Sequence, residues 1–363
     1  MAKSTPLVEI HRAHGAELVE ESGWILASHF GARLEEYEAV RSRVGLLDLC
    51  HYAALHLTGP DRVSYLQGMV TNDVKTLAPG AGLYAAILDV TGKILADLRV
   101  LCTEASFMLV LWEPLKQKVV THLNRYLVAD DVEIGDSNGR YGMLSIQGPK
   151  ARPLLRQLAP AEELPPRMHG HRLLRIGERE VRVIRSTHTG EEGFDLLMEI
   201  GCLAPVVGQL EKAGAAFSLR WVGLRAQEIL RVEAGLPRYG IDMDEENLIL
   251  ETALEQAISF QKGCYLGQEV VERIRSRGHV NRRLVGMALE GERAVIRGDK
   301  VKSGDKEIGR VTSSVVSPAL KRPIALSYAH RDYWQPGTKI SVERNGDLVA
   351  GAIAPLPFYT PSP

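Results

Sequence analysis

Leu83-Tyr84-Ala85-Ala86-Ile87-Leu88-Asp89-Val90-Thr91-Gly92-Lys93-Ile94-Leu95-Ala96-Asp97-Leu98 is a pair of apolar runs parted by a short stretch of turn residues. Asp, Thr and Gly at the tip predict a hairpin, with strands over 83–88 and 94–102. A third strand is expected over 107–112 and a helix over 114–126. Upstream, 34–44 has helical spacing, with Leu34, Tyr37, Val40 and Val44 on one face. Asp61 stands where a cap belongs for a second helix, whose stripe is Val63, Leu66, Met69 and Val70. Strands joined by hairpins and covered by helices make an α+β body.

A second block repeats the mixture. A strand over 142–146 ends at Gln147-Gly148-Pro149, and a helix from Lys150 carries Leu154, Leu155 and Leu158. Strands over 172–176, 181–186 and 194–200 follow, then helices over 203–214 and 223–233. From Arg283 the pattern changes to short β-rich runs (284–289, 308–312, 324–328, 339–343, 348–353) between Gly, Pro and Asp turns. That spacing predicts a small barrel or sandwich. The expected division is a body over 1–282, in two α+β parts, and a C-terminal β-barrel over 283–363.

Composition limits the function. The chain has 363 residues, 45% of them hydrophobic and 25% charged, which excludes a disordered protein. Its 44 Lys and Arg against 45 Asp and Glu leave a net charge of −1, so no global field draws it to nucleic acid or an anionic membrane. Cys50, Cys102, Cys202 and Cys264 form no CxxC pair and no cluster with zinc spacing, and no metal ligands are expected. The start is polar and the longest apolar run, 107–112, is strand length; a cytoplasmic location with reduced thiols is the expectation.

Five features carry possible chemistry. Gly80-Ala81-Gly82-Leu83-Tyr84-Ala85 fits a loose GxGxxA, but it feeds a strand where a dinucleotide loop opens a helix, so a turn is expected. Thr189-Gly190-Glu191-Glu192-Gly193-Phe194-Asp195 reads either as a solvated acidic turn or as a strand start whose Asp195 holds a bidentate donor, such as a guanidinium or the amino-pyrimidinone edge of a pterin. Asp97, inside an apolar strand, either reaches an exposed face or serves a site. Lys262-Gly263-Cys264-Tyr265-Leu266-Gly267-Gln268-Glu269 places Cys264 just before an expected helix, as a small buried hydrophobe or as a reactive thiol favoured by nearby cations. Arg273, Arg275, Arg277, Arg282 and Arg283 with His279 form a basic run beside it, a solvated linker or a local anion site.

Taken in order, these pieces resemble the family of the glycine-cleavage T-protein (aminomethyltransferase) and its YgfZ-type folate-binding relatives. The likeness runs through Gly45 to His51, Thr71-Asn72-Asp73-Val74, Gln147-Gly148-Pro149, Thr189 to Asp195, Arg231-Val232-Glu233-Ala234-Gly235 and Gly309 to Pro318. It implies a ring-like α+β body around a folate channel with a C-terminal β-barrel, and tetrahydrofolate, in a one-carbon or polyglutamyl form among others, as cofactor. Lys262 to Glu269 is similar to the KGC[YF]xGQE signature of the YgfZ branch. That implies a folate-binding protein supporting iron–sulfur enzyme assembly or repair, with iron–sulfur client proteins as partners. The alternative implied by the same family is an aminomethyltransferase moving a one-carbon unit from a lipoyl carrier protein to tetrahydrofolate, with ammonia release. By this resemblance Asp97 and Cys264 are the catalytic candidates, and Tyr84, Asp195, Trp112 and Lys262 the folate-binding ones. His188, Leu236 and Gln227 depart from the family pattern at other functional positions.

Overall fold

The computed structural model describes residues 2–137 and 139–361. The chain forms two compact units, one of residues 1–87, 96–227 and 256–265, the other of 88–95, 228–255 and 266–363. The α+β class is borne out, with helices on antiparallel sheets and a closed C-terminal barrel.

In the first unit a five-stranded sheet runs in the order Gly82–Leu88, Ile94–Cys102, Phe107–Trp112, Tyr52–Thr58, Glu133–Asp136. The hairpin read from Leu83 to Leu98 is its edge. Along Ile94–Cys102 the even-numbered Ile94, Ala96, Leu98 and Val100 are buried, while Leu95, Asp97 and Arg99 alternate onto the other, less buried face. A six-stranded sheet has the order His171–Ile176, Arg179–Arg185, Gly193–Glu199, Tyr141–Gln147, Gly45–Asp48, Arg220–Trp221. One of its faces carries Leu144, Ile146, Val181, Val183, Phe194 and Leu196, packed with Leu154 and Leu155 of the helix Ala151–Leu158 and Val206, Val207 and Leu210 of the helix Leu203–Gly214. A small three-stranded sheet, Lys3–Ser4, Trp24–His29 and Glu17–Glu21, completes the unit.

The second unit contains the closed barrel, in the order Arg282–Leu289, Arg322–His330, Lys306–Ser317, Lys300–Ser303, Lys339–Arg344, Asp347–Ala354. The sequence shows only five of these strands. Lys300-Val301-Lys302-Ser303 has one apolar residue, fully buried Val301, too weak a signal to read alone. The unit also takes in 228–255, which the linear reading assigned to the body, and a buried network explains why. Arg231 donates to Glu228 (2.5 and 2.7 Å), to Asp242 (2.7 Å) and to Ser313 Oγ of the barrel (2.6 Å). Asp242 in turn accepts from Thr312 and Ser313 hydroxyls (2.5 and 2.7 Å). The carboxylate of Glu233 accepts from Ser317 Oγ, and its main-chain carbonyl accepts from the amides of Phe358 and Tyr359 (2.9 and 3.0 Å). The stretch from Arg231 to Gly235 is therefore a clamp on the barrel.

No helix among the described residues is long and apolar enough to cross a membrane.

Breaking the clamp tests its weight. Arg231→Ala strands Asp242, which has no exposure of its side chain, without its cation. Loss of one partner from a buried ion pair costs about 3–5 kcal/mol, so urea unfolding should shift to markedly lower midpoint. A shift worth under about 1 kcal/mol would show that the hydroxyls of Thr312 and Ser313 suffice.

Candidate functional site

The polar face of the hairpin builds the centre of the site. Arg99 pairs in register with Val110, and Trp112 with Tyr52, so Asp97, Arg99, Trp112 and Tyr52 share one face of the sheet. Tyr84 Oη donates to Asp97 Oδ2 at 2.5 Å. Burial raises the Asp97 carboxyl above the ordinary aspartate value, against the opposing pull of the Tyr84 hydroxyl and the Arg99 charge. Burial and the adjacent carboxylate also push the Tyr84 phenol well above its usual value. Tyr84 and Asp97 thus share one desolvated proton-rich contact.

Asp195 comes from the six-stranded sheet, opposite Ser145 and Ile184. It has no exposure, and both oxygens are occupied: Arg99 Nη1 donates at 3.0 Å and His188 Nε2 lies 3.0 and 3.2 Å away. That nitrogen donates to Asp195, so Arg99 Nη2, 3.4 Å from it, is a neighbour without a bond to it. Burial works against ionisation of Asp195, but the charges of His188 and Arg99 outweigh it and hold the carboxyl far below the usual range. Of the two donors the sequence left open for Asp195, the guanidinium is the one present, and Arg99 with His188 fills both carboxylate oxygens.

The turn before it is equally closed. Gln147 Oε1 accepts from the His188 amide and the Thr189 hydroxyl (both 3.1 Å), while its Nε2 donates to Ser145 Oγ (2.9 Å). A Cβ at Gly193 would lie 2.1 Å from the Gln147 amide, so only glycine fits there. Glu191 pairs with Arg41 at 2.8 Å and Glu192 with Arg152 at 2.6 Å. A solvated acidic turn is thereby replaced by a run of ion pairs that presents His188.

Histidines carry what the sequence did not show. His171 Nε2 donates to the Cys102 carbonyl (2.9 Å) and its Nδ1 accepts from Arg182 (2.9 Å), a neutral ring; burial, then Arg182, lowers its pKa to about 4. His169 stacks on Tyr84 with ring centroids 6.1 Å apart and 20° between planes. Burial, then the Arg99 charge, lowers its pKa to about 4 as well. A signal did exist in Gly80-Ala81-Gly82: Gly80 turns at φ +86° beside the His171 carbonyl, and at Gly82 the His169 carbonyl comes too close for a side chain.

Lys262 does not join this cluster. Its ammonium donates to the carbonyls of Gln67 (2.7 Å), Val70 (2.5 Å) and Asn72 (2.9 Å), and burial lowers its pKa to about 8. With three N–H groups given to main chain, none remains for a folate, so the binding role expected of it is corrected to an anchoring one. The anchor has a use, because Asn72 Nδ2 donates to the Tyr84 carbonyl (2.9 Å) and the Thr71 hydroxyl accepts from the Ala86 amide (2.9 Å). Trp112 is half-buried at the end of its strand. Cys264 is exposed, four positions before the helix Gln268–Arg277. Of the nearby basic run, Arg275 pairs with Glu272, Arg282 with Glu251 and Arg283 with Glu255.

The comparisons with known proteins fit this framework. The GCVT N-terminal domain matches residues 7–262 and the glycine cleavage T-protein C-terminal barrel domain matches 282–360. The chain belongs to the glycine cleavage T-protein family. Among its relatives, an aminomethyltransferase of Rubrobacter xylanophilus is 33% identical over 98% of this chain and 94% of its own length. One from Thermus thermophilus is 34% identical over 98% and 99%. The crystal structure of glycine cleavage system aminomethyltransferase T from Bartonella henselae superposes with a TM-score of 0.90 at 26% identity, over 99% of both chains. These full-length matches overturn the reading as a YgfZ-type iron–sulfur assembly protein. The likeness of Lys262 to Glu269 to that branch is a local one, and in this family member Lys262 is bound to main chain.

Two measurements check the site. His169 and His171, near 4 when folded and 6.5 as free groups, leave the unfolded chain binding more protons between those values. Stability should therefore fall as pH drops from about 6.5 to 4, by about 3 kcal/mol for each ring and roughly 6 kcal/mol for the two, with buried His11 and half-buried His56 acting in the same sense. Urea titrations giving equal stability at neutral pH and at the acid end of that window would refute it. Maleimide should label Cys264 in the native protein and reach buried Cys50 and Cys102 only on unfolding; a native Cys264 that resists labelling contradicts its exposed position.

Proposed function

We propose that the protein is an aminomethyltransferase of the glycine-cleavage type, accepting a one-carbon unit from a lipoyl carrier protein onto tetrahydrofolate with release of ammonia. The observation that supports it most is the Tyr84–Asp97 contact: a carboxyl withdrawn from water, raised in pKa, and given one fixed hydrogen-bond donor. Such a group can accept an amine N–H in a water-poor setting and holds a proton more readily than an exposed aspartate does. The full-length likeness to proteins named aminomethyltransferase points the same way.

The residues present fit a folate on one observation of this chain: the His169 ring, stacked on Tyr84, has a buried, unbonded Nδ1. Tetrahydrofolate, when bound, supplies the amine that receives the carbon. Asp97 orients that amine and takes or returns a proton at its free oxygen, while the Tyr84 hydroxyl keeps the other oxygen still. Trp112 supplies an aromatic wall on the same face. Asp195 fixes the positions of Arg99 and His188, and the Arg99 charge acts on Asp97. On this reading the body of residues 1–282 holds the ligand, and the barrel of 283–363 closes the chain.

Asp97→Asn keeps the shape and the Tyr84 bond but removes the charge. With a lipoylated carrier bearing the aminomethyl group, ammonia release should fall by roughly a hundred-fold or more, while tetrahydrofolate affinity changes by only a few fold. Native rates in the variant, or no ammonia release by the native protein, would reject the proposal.

A further inference from the structure

His169 has three properties that packing alone does not explain. Its backbone lies at φ +62°, in the left-handed region that residues with side chains rarely adopt. Its Nδ1 is buried and has no hydrogen-bond partner among the described residues. Its ring stacks against Tyr84, the residue that donates to Asp97.

The chain holds this conformation firmly. The His169 amide donates to the Arg185 carbonyl (2.8 Å), the Gly170 amide to that of Arg167 (3.0 Å), and the His171 amide to that of Gly80 (2.8 Å). The Arg185 amide returns a bond to the Gly170 carbonyl (2.9 Å). On the other side, a Cβ at Gly82 would come within 2.4 Å of the His169 carbonyl, so the glycine is the seat on which the bend rests. Strain clamped from both sides around an unsatisfied buried nitrogen costs stability, and sites that bind ligands are where such costs are retained. The acceptor that the sequence offered to a pterin, Asp195, is closed by Arg99 and His188.

We infer that His169 is a ligand-binding residue of this site, its Nδ1 accepting a hydrogen bond from an N–H of the bound pterin ring in place of the Asp195 carboxylate. This rests on the folate-dependent reading above. A neutral imidazole suits that role, because it offers a lone pair without adding a second cation beside Arg99, whose charge, after burial, helps keep the ring unprotonated. The glycines at 80 and 82 then belong to the site as well, since they let the bend lie against the start of the Tyr84 strand.

The experiment uses tetrahydrofolate itself, titrated into the full-length protein. His169→Asn places an amide oxygen near the position of Nδ1 and tolerates the left-handed backbone, so it should bind within about three-fold of native. His169→Gly relieves the strain and removes the acceptor; its affinity should drop about ten-fold or more, with a thermal midpoint no lower than native. Native-like affinity in His169→Gly, or equal loss in both variants, overturns the inference and leaves the proposed function standing. Absence of tetrahydrofolate binding by the native protein overturns both. Should His169→Gly fail to fold, the native protein decides alone: the 15N resonance of His169 Nδ1 must move upfield on adding tetrahydrofolate, and an unmoved resonance refutes the bond.

Discussion

A carboxylate sealed from water is expensive unless cations and donors meet it, and Asp195 is met from two directions. Arg99 reaches it from the five-stranded sheet, and His188 from the turn beside it in the six-stranded sheet. The pair ties the polar faces of those two sheets to each other. Tyr84 and Asp97 owe their surroundings to it: the guanidinium that satisfies Asp195 also opposes the upward shift of Asp97 and helps depress His169. Gln147 holds the turn that brings His188 into place, and Gly193 is kept small by Gln147. One ion pair thus organises residues from several strands.

Several stretches that mark the family are structural in this chain. Arg231 to Gly235 is fastened to the barrel through Asp242, Ser313 and Ser317. Thr71 and Asn72 brace the strand of Tyr84, and Asn72 is itself gripped by Lys262. The distinction matters for function. A motif can identify a family because it holds the site's frame, without any of its residues touching a ligand. Lys262 is the clearest case, since its charge caps main-chain carbonyls at the end of the helix Arg62–Met69.

The departures from the family pattern also gain a physical meaning. His188 is not an empty replacement, because it donates to Asp195 and lies edge-on to Tyr52 at 6.2 Å. Arg99, two residues beyond Asp97, sets its guanidinium against the Asp195 carboxylate that His188 also meets.

Much of the architecture was legible in the residues alone. Alternation over 94–102 foretold which face of the hairpin is buried, and short β-runs after 282 foretold a barrel, because strand faces repeat every second residue whatever packs on them. The strand of Asp97 and the neighbourhood of Tyr84 were legible too, through a resemblance carried by ordered motifs. Partners across the fold were not. That Asp195 meets Arg99, that Lys262 meets three carbonyls, and that Gly82 seats His169 are contacts between residues 96, 190 to 195 and 87 positions apart. A sequence determines what each side chain can donate, accept or bury. Which donor reaches which acceptor depends on how distant strands are brought together, and only the tertiary structure decided that.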